Sequence, residues 1–427
     1  MPSVNAPGVY VQEVNDGPRP IQSVSTSVAA LIGVAAAAEE RVLEVTPIID
    51  LTQYERAFVT PARGSDGSGP VPEPTDLGIA VEGFFANGGG LCLVVNLGPS
   101  PTAATLRQAL ALLRARDEVS VLAAPGLNDA AFHTELIDHC ELMEDRFAIL
   151  DVPGVAEDMA QLTTVATPGP AAEAPADAEG AGGTAETAEG DDAGESTTRR
   201  RPARAERVNM RPRDTEYAAL YYPRVVVTDP VTGRPRAAPA SGHIAGVYAR
   251  VDRLRGVHKA PANEPIRGVI DLEDRVDRHV QGQLNQAGVN VIRSFATRGI
   301  RIWGARTLAT GSEYTYVNVR RFVNMIKESI EIGTQWVVFE PNGYDLWSIL
   351  TRDLTAYLTR VWRDGALLGA TPAEAFFVKC DRETNPDEEI DAGYLTALIG
   401  IAPVKPAEFV IIKISQNMSS GSTTEGV

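Results

Sequence analysis

The sequence predicts a mixed α/β fold, with sheets covered by helices and extended strands at both ends of the chain. Three observations predict it. Strand-length apolar runs alternate with helical spacing between residues 91 and 154, two long amphipathic patterns follow in the second half, and period-two segments without a local partner stand near both termini. With 427 residues, of which 44% are hydrophobic and 22% charged, the chain has length for roughly two or three domains of about 150 residues, each with ample core.

The first segment is "PGVYVQEVNDGPRPI", residues 7–21. Val9 and Val11 alternate with Tyr10 and Gln12, and the pattern runs on through Glu13 and Val14 as a strand with two unlike faces. Pro7 before it, and Pro18 and Pro20 after it, cut it off from a nearby hairpin partner. Its N–H and C=O groups need an edge from a distant segment or from another molecule. Asp16, Gly17, Pro18, Arg19 and Pro20 then form a stiff tether.

Next come "LCLVVNL" (91–97), helical spacing at Leu106, Ala109, Leu110 and Leu113, and "VSVLAAPG" (119–126). A second helical face at Phe132, Leu136, Cys140 and Met143 leads to "FAILDVPG" (147–154). This alternation predicts a largely parallel sheet covered by helices. It does not predict a nucleotide site. Gly88, Gly89 and Gly90 precede their strand, whereas a phosphate-binding loop places glycines after the strand at a helix start.

Residues 166–198 contain no aromatic residue and no Val, Leu, Ile or Met; eight carboxylates lie between Glu173 and Glu195, followed by Arg199, Arg200, Arg201, Arg204 and Arg207. Such a composition cannot bury enough surface to offset chain entropy, so a solvated insertion is expected.

In the second half, Val319, Phe322, Val323, Ile326 and Ile330 share a helix face, with Gly333 expected to end the helix and "TQWVVFEP" to follow as a buried strand. Leu346, Ile349, Leu350, Leu354, Tyr357, Leu358, Val361 and Trp362 mark a second helix that Gly365 would stop, and "EAFFVKCD" supplies another strand. Near the end stands "AEFVIIKISQ" (407–416), a strand with Val410, Ile412 and Ile414 on one face, followed by "NMSSGSTTEGV".

Chemistry is sparse. The five histidines show no metal-ligand spacing, and no nucleophile elbow is present. "CDRETNPDEEID" starts like a calcium loop at Asp381, Glu383 and Asn385, but Pro386 stands where that loop needs Gly and Ala392 where it needs Glu, so a polar turn is expected. Cys92, Cys140 and Cys380 form no paired motif and read as buried thiols. A net charge of −17 argues against nucleic acid as a partner. No apolar run of about 18 residues and no secretory leader are read, so membrane insertion by this chain is not expected and synthesis is expected in the cytoplasm. No catalytic residue, cofactor or metal site is assigned.

Five stretches of the second half form a connected series: "SGHIAGVYARVDRLRGVHKAPANEPIRGV" (241–269), "GIRIWGARTL" (299–308), "YVNVRRFVNMIKESIEIGTQWVVFEPN" (316–342), "LWSILTRDLTAYLTRVWRDGALLGATPAEAFFVKCDRETN" (346–385) and "GIAPVKPAEFVIIKISQ" (400–416). Together with "PGVYVQEV" and "FFANGGGLCLVV", this series closely resembles the contractile tail sheath proteins of phages and phage-tail-like injection systems. The resemblance implies a sheath-type core of mixed sheets and a subunit that polymerises helically around an inner tube and contracts to drive it through a target envelope. It implies as partners further copies of the chain, the inner tube protein, and baseplate and terminal cap proteins, and a final place in a virion or a released particle. It also implies intersubunit strand arms at Val9, Tyr10, Val11, Gln12, Glu13 and Val14 and at Phe409, Val410, Ile411, Ile412, Lys413 and Ile414. A soluble α/β enzyme and a non-contractile tubular scaffold are the alternatives weighed against it.

The expected domains are an N-terminal arm and tether (1–20), an outer α/β domain in two parts (21–157 and 208–295) around a low-complexity insertion (158–207), an inner core (296–405), and a C-terminal arm (406–427).

Overall fold

The structure, a computed structural model, describes residues 20–63, 69–166, 209–309 and 311–409. From the N-terminal side its elements are β1 (Ala29–Gly33), β2 (Val45–Ile48), the single turn α1 (Leu51–Tyr54), α2 (Asp76–Ala86), β3 (Cys92–Asn96), α3 (Ala103–Leu113), β4 (Val121–Ala123), α4 (Ala130–Met143), β5 (Phe147–Asp151) and α5 (Met159–Thr163). After the insertion come β6 (Ala218–Tyr222), β7 (Val225–Thr228), β8 (Pro235–Ala238), α6 (Ser241–Arg255), β9 (Val269–Leu272), α7 (Arg278–Gln286), β10 (Val289–Phe295) and β11 (Gly299–Ile302). The last part holds α8 (Val317–Thr334), α9 (Tyr344–Arg363), the short α10 (Pro372–Ala375), β12 (Phe376–Lys379), the short α11 (Asp387–Asp391) and β13 (Leu398–Ile401).

Eight strands form one sheet in the order β11-β10-β6-β5-β4-β1-β3-β2, parallel except for β2 and β11 at the two edges. Alternate residues of each strand enter different cores. Leu31, Val94, Ala123 and Ile149 pack beneath α2 and α6. Ile32, Val95, Leu122 and Leu150 pack beneath α3 and α4. Burial on both faces explains why these strands read as continuous apolar runs rather than as alternation. A small sheet, β8-β7-β9, flanks the large one.

Helices α2 and α6 touch backbone to backbone. A Cβ at Gly242 would lie 2.3 Å from the Ala80 carbonyl oxygen, and one at Gly246 would lie 2.4 Å from that of Phe84. The four-residue spacing in "SGHIAG" therefore serves a helix crossing. Gly88, with φ +108°, likewise lies close to the Arg250 side chain.

A second lobe is built from α8, α9 and the two-stranded β12–β13 sheet around Phe322, Ile326, Leu354, Tyr357, Leu358 and Phe376. Three expectations move. The division at 295/296 falls inside the β10–β11 hairpin, where Arg293 pairs with Arg301, and core packing separates at α8 instead. Residues from 158 onward begin with α5, whose Leu162 is buried, so ordered structure continues past 157. "TQWVVFEP" forms no strand: α8 runs through Gly333 to Thr334, a 3₁₀ turn covers Gln335–Val337, and Val338 and Phe339 point outward. The run has a strand's composition but pairs with no strand among the described residues, and β12 and β13 pair only with each other. Gly365, with φ +78° just beyond α9, does stop its helix as expected.

Candidate functional site

Residues Val9–Val14, the tether from Asp16 to Arg19, and Val410–Ile414 lie outside the described residues. Pro20 and Phe409 are the last described positions at either end, and both are exposed. The structure therefore shows the chain just inside the two expected arms.

The N-terminal root is clamped to the second lobe. Ile21 is 1% exposed and packs against Gly333, where an added Cβ would stand 2.7 Å from the Ile21 side chain. That contact explains a glycine inside a helix better than a helix stop does. The Arg360 guanidinium donates to the Ile21 carbonyl. Val24 N–H donates to Ser329 Oγ at 3.0 Å. Residues 21–28 thus form a strap over α8 and α9 that leads directly into β1.

The C-terminal root is clamped to the other lobe. The Glu408 carboxylate receives Arg306 at 2.6 and 3.0 Å, Asn285 at 2.6 Å and the Tyr316 hydroxyl at 3.2 Å. Arg306 follows β11, and Asn285 lies in α7. A two-pronged guanidinium–carboxylate pair fixes direction as well as position.

Between the lobes runs a buried polar joint on the second face of α8. Arg321 donates to both carboxylate oxygens of Asp252 at 2.6 and 3.1 Å and to the Thr26 carbonyl at 2.8 Å, and its guanidinium lies 4.6 Å from the Tyr248 ring centre. The Tyr248 and Tyr221 hydroxyls are 2.5 Å apart, and Thr26 Oγ1 donates to Asp252 at 2.7 Å. Arg320 stacks over Tyr217 and Tyr314 and donates to Asn324, which reaches the carbonyl of the fully buried Arg146. One joint therefore unites the strap, α6, α8 and the sheet.

Glu328 stands at its edge. Burial pushes this carboxyl up to about 7, Asp145 adds to the rise, Arg146 opposes it, and Asp117 and Glu331 raise it further. The folded-state value lies above the ordinary 4.5, so ionisation costs the folded state stability as pH rises between 4.5 and about 7, and the penalty is constant above that. Glu328→Gln is expected to match wild type near pH 4.5 and to melt higher than wild type above pH 7. Melting temperatures across that range check this; a difference that does not vary with pH refutes it.

The second lobe presents the remaining feature. β12 and β13 pair antiparallel, with Phe377 opposite Gly400. Phe376, Val378, Ile399 and Ile401 face the lobe core. Among the described residues, the outer edges of both strands are open.

The remaining histidines, cysteines and the 381–396 turn are held locally. Burial pushes His133, His139 and His243 down to about 4, which keeps them neutral. Cys92 and Cys140 are buried, and Cys380 is half-buried. Asp381 caps its own turn through the Glu383 and Thr384 N–H groups, and buried Asn385 ties that turn to Thr396 at 2.7 Å. No group of three or more metal-ligating side chains occurs among the described residues, and none of their helices is long and apolar enough to cross a membrane. Sequence reasoning missed Arg321, Asp252 and Glu408. Their only signal is a charge at a position within a helix or loop that gives no hint of burial.

The phage tail sheath protein central domain matches residues 101–308, and the phage tail sheath C-terminal domain matches residues 309–417. A tail sheath protein of Burkholderia phage BcepMu is 32% identical over 185 residues, covering 41% of this chain and 38% of that protein. One of Vibrio phage KVP40 is 30% identical over 188 residues, covering 43% and 27%. The matches therefore span well under two thirds of these curated relatives. The sheath of an extracellular contractile injection system, PVC, in its contracted state has a TM-score of 0.72 and 26% identity, covering 98% of this chain and 99% of that one. The contracted helical sheath of the anti-feeding prophage has a TM-score of 0.71 and 27% identity, covering 97% and 100%. With family domains matched from residue 101 to residue 417 and the whole fold shared with contractile sheaths, this chain belongs to the phage tail sheath protein family.

Proposed function

We propose that copies of this chain polymerise helically around an inner tube, are held in an extended form, and shorten to drive the tube through a target envelope. The open two-stranded β12–β13 sheet carries this reading. A lone hairpin is marginal in water, yet here one face is packed and both edges accept a further strand. Val9–Val14 and Phe409–Ile414 of neighbouring copies supply those strands, with main-chain hydrogen bonds giving affinity and alternate side chains giving register.

Both arm roots support the same reading, because each is clamped to a different lobe, so a pull on either arm acts on a body rather than on slack chain. Head-to-tail contacts of this kind generate helical polymers. The chain acts as structure and not as an enzyme: work comes from many subunits moving to better-packed contacts, about a few kcal/mol each. Besides further copies, its partners are the inner tube and the baseplate and terminal cap proteins. It assembles in the cytoplasm and ends in a virion or a released particle.

Val11→Pro tests the proposal. Proline removes a backbone donor and fixes φ in mid-strand. The variant is expected to fold as a subunit but to yield few polymers by electron microscopy; polymers as abundant and as stable as wild type rule out the N-terminal strand exchange.

A further inference from the structure

Where α8 meets the sheet lobe, carboxylates gather along the seam. Half-buried Glu328 on α8 faces Asp145 and Arg146, in the turn between α4 and β5, and Asp117, in the loop between α3 and β4. Glu331 adds a further carboxylate one turn along α8. The cations nearby are engaged elsewhere. Arg146 donates twice to Asp145, at 2.6 and 2.9 Å, while Lys327 pairs with Glu144, Arg116 with Glu118 and Arg321 with Asp252. The strap contributes only the uncharged Thr26. Among the described residues nothing forms a hydrogen bond or an ion pair with the Glu328 carboxyl.

Glu328 and Asp145 line the same cavity of about 10 Å³, the size of one water molecule, with Thr26, Ser120, Asn324 and Arg321 as its other polar walls. Arg321 is the residue whose pairing with Asp252 joins the lobes, so this cavity opens directly onto the joint. A carboxyl placed there has two states with opposite effects. With its proton, Glu328 is neutral and offers an O–H donor towards a carboxylate that keeps lone pairs free after Arg146. Without it, two carboxylates confront each other across the seam with no free cation between them.

We infer that the seam is a proton-operated latch: protonated Glu328 donates to Asp145, directly or through one water, and holds α8 against the α4–β5 turn, and loss of the proton releases it. The direction follows from the surroundings. The carboxyl is raised from 4.5 to about 7 in the closed seam and returns to its ordinary value once hydrated, so opening becomes easier as pH rises from 4.5 to about 7 and changes no further above that. The neighbouring Lys327–Glu144 pair is exposed and keeps its charges across this range, so it neither sets nor opposes the switch. His133, His139 and His243, held near 4, titrate below the range. Asp151, raised by burial to about 6, titrates within it, but at the N-terminus of α6, where it accepts the Ala240 and Ser241 N–H groups.

The test uses dispersed full-length subunits carrying spin labels at Leu142→Cys on α4 and Ile332→Cys on α8, two exposed positions on either side of the seam, in a Cys380→Ser background. Dipolar spin resonance is expected to give one narrow distance at pH 5 and a longer, broader distribution at pH 8, reversibly. Each pKa unit is a factor of ten, so the open-to-closed ratio should rise about tenfold or more. Glu328→Gln, which keeps the shape and cannot ionise, is expected to hold the short distance at both pH values, and it leaves Asp151 unchanged. Asp145→Asn removes the confronting charge and should shrink the change. A distance in the otherwise unaltered chain that does not vary with pH, or a change of the same size in Glu328→Gln, overturns the latch. Dispersed subunits form no polymer, so this result stands apart from strand exchange, whose failure is read from Val11→Pro.

Discussion

Arg321→Ala is expected to lower subunit stability by about 3–5 kcal/mol, the cost of breaking a buried ion pair by removing one partner. Arg321 and Asp252 have side chains only 3% and 5% exposed, and they meet through two hydrogen bonds. Alanine leaves the Asp252 carboxylate buried with only the Thr26 hydroxyl, strips the Thr26 carbonyl of its donor and removes the charge over Tyr248. Arg321→Lys keeps the charge but not the planar fork, so a smaller loss is expected. The contrast is Arg107, whose pairing with Glu135 leaves the arginine side chain 68% exposed and screened by water, and there alanine should cost far less. Urea unfolding of dispersed subunits measures all three. A loss at Arg321 no larger than at Arg107 would show that the joint does not hold the lobes together.

The same joint shows what the sequence could and could not convey. Strands buried on both faces announce themselves: Cys92–Asn96 and Phe147–Asp151 are continuous apolar runs between helical patterns, and each forms a strand of the large sheet. The core faces of α8 and α9 were legible for the same reason, since Phe322, Ile326, Leu354 and Leu358 recur at helical spacing. "TQWVVFEP" misleads because apolar content is shared by a buried strand and by an exposed surface, and only a partner strand tells them apart. The polar face of α8 was illegible because an arginine in a helix ordinarily faces water, and its burial depends on Asp252, far away in the chain. Function was legible chiefly through the family resemblance, and the arms it points to begin where the described residues end.

The proposed tether, Asp16 to Pro20, would act as a mechanical element, because the chain just after it is fixed. Ile21 is buried against α8 and α9, and the Arg360 and Ser329 contacts hold the strap behind it. If Val9–Val14 is fixed in a neighbour, only those few residues lie between two anchored points, and Pro18 and Pro20 stiffen them. Inserting two or three residues before Ile21 would add about 3.3–3.6 Å of reach each, roughly 7–11 Å in all. Pairing and packing are untouched, so an extended sheath should still assemble. Neighbours could then shift without pulling on one another, and contraction is expected to stall instead of spreading along the polymer. The same urea or acid series applied to wild-type and inserted sheaths, with polymer length measured by microscopy, decides it. If both shorten at one threshold and to one length, the tether does not couple subunits, and the motion passes through contacts between their bodies.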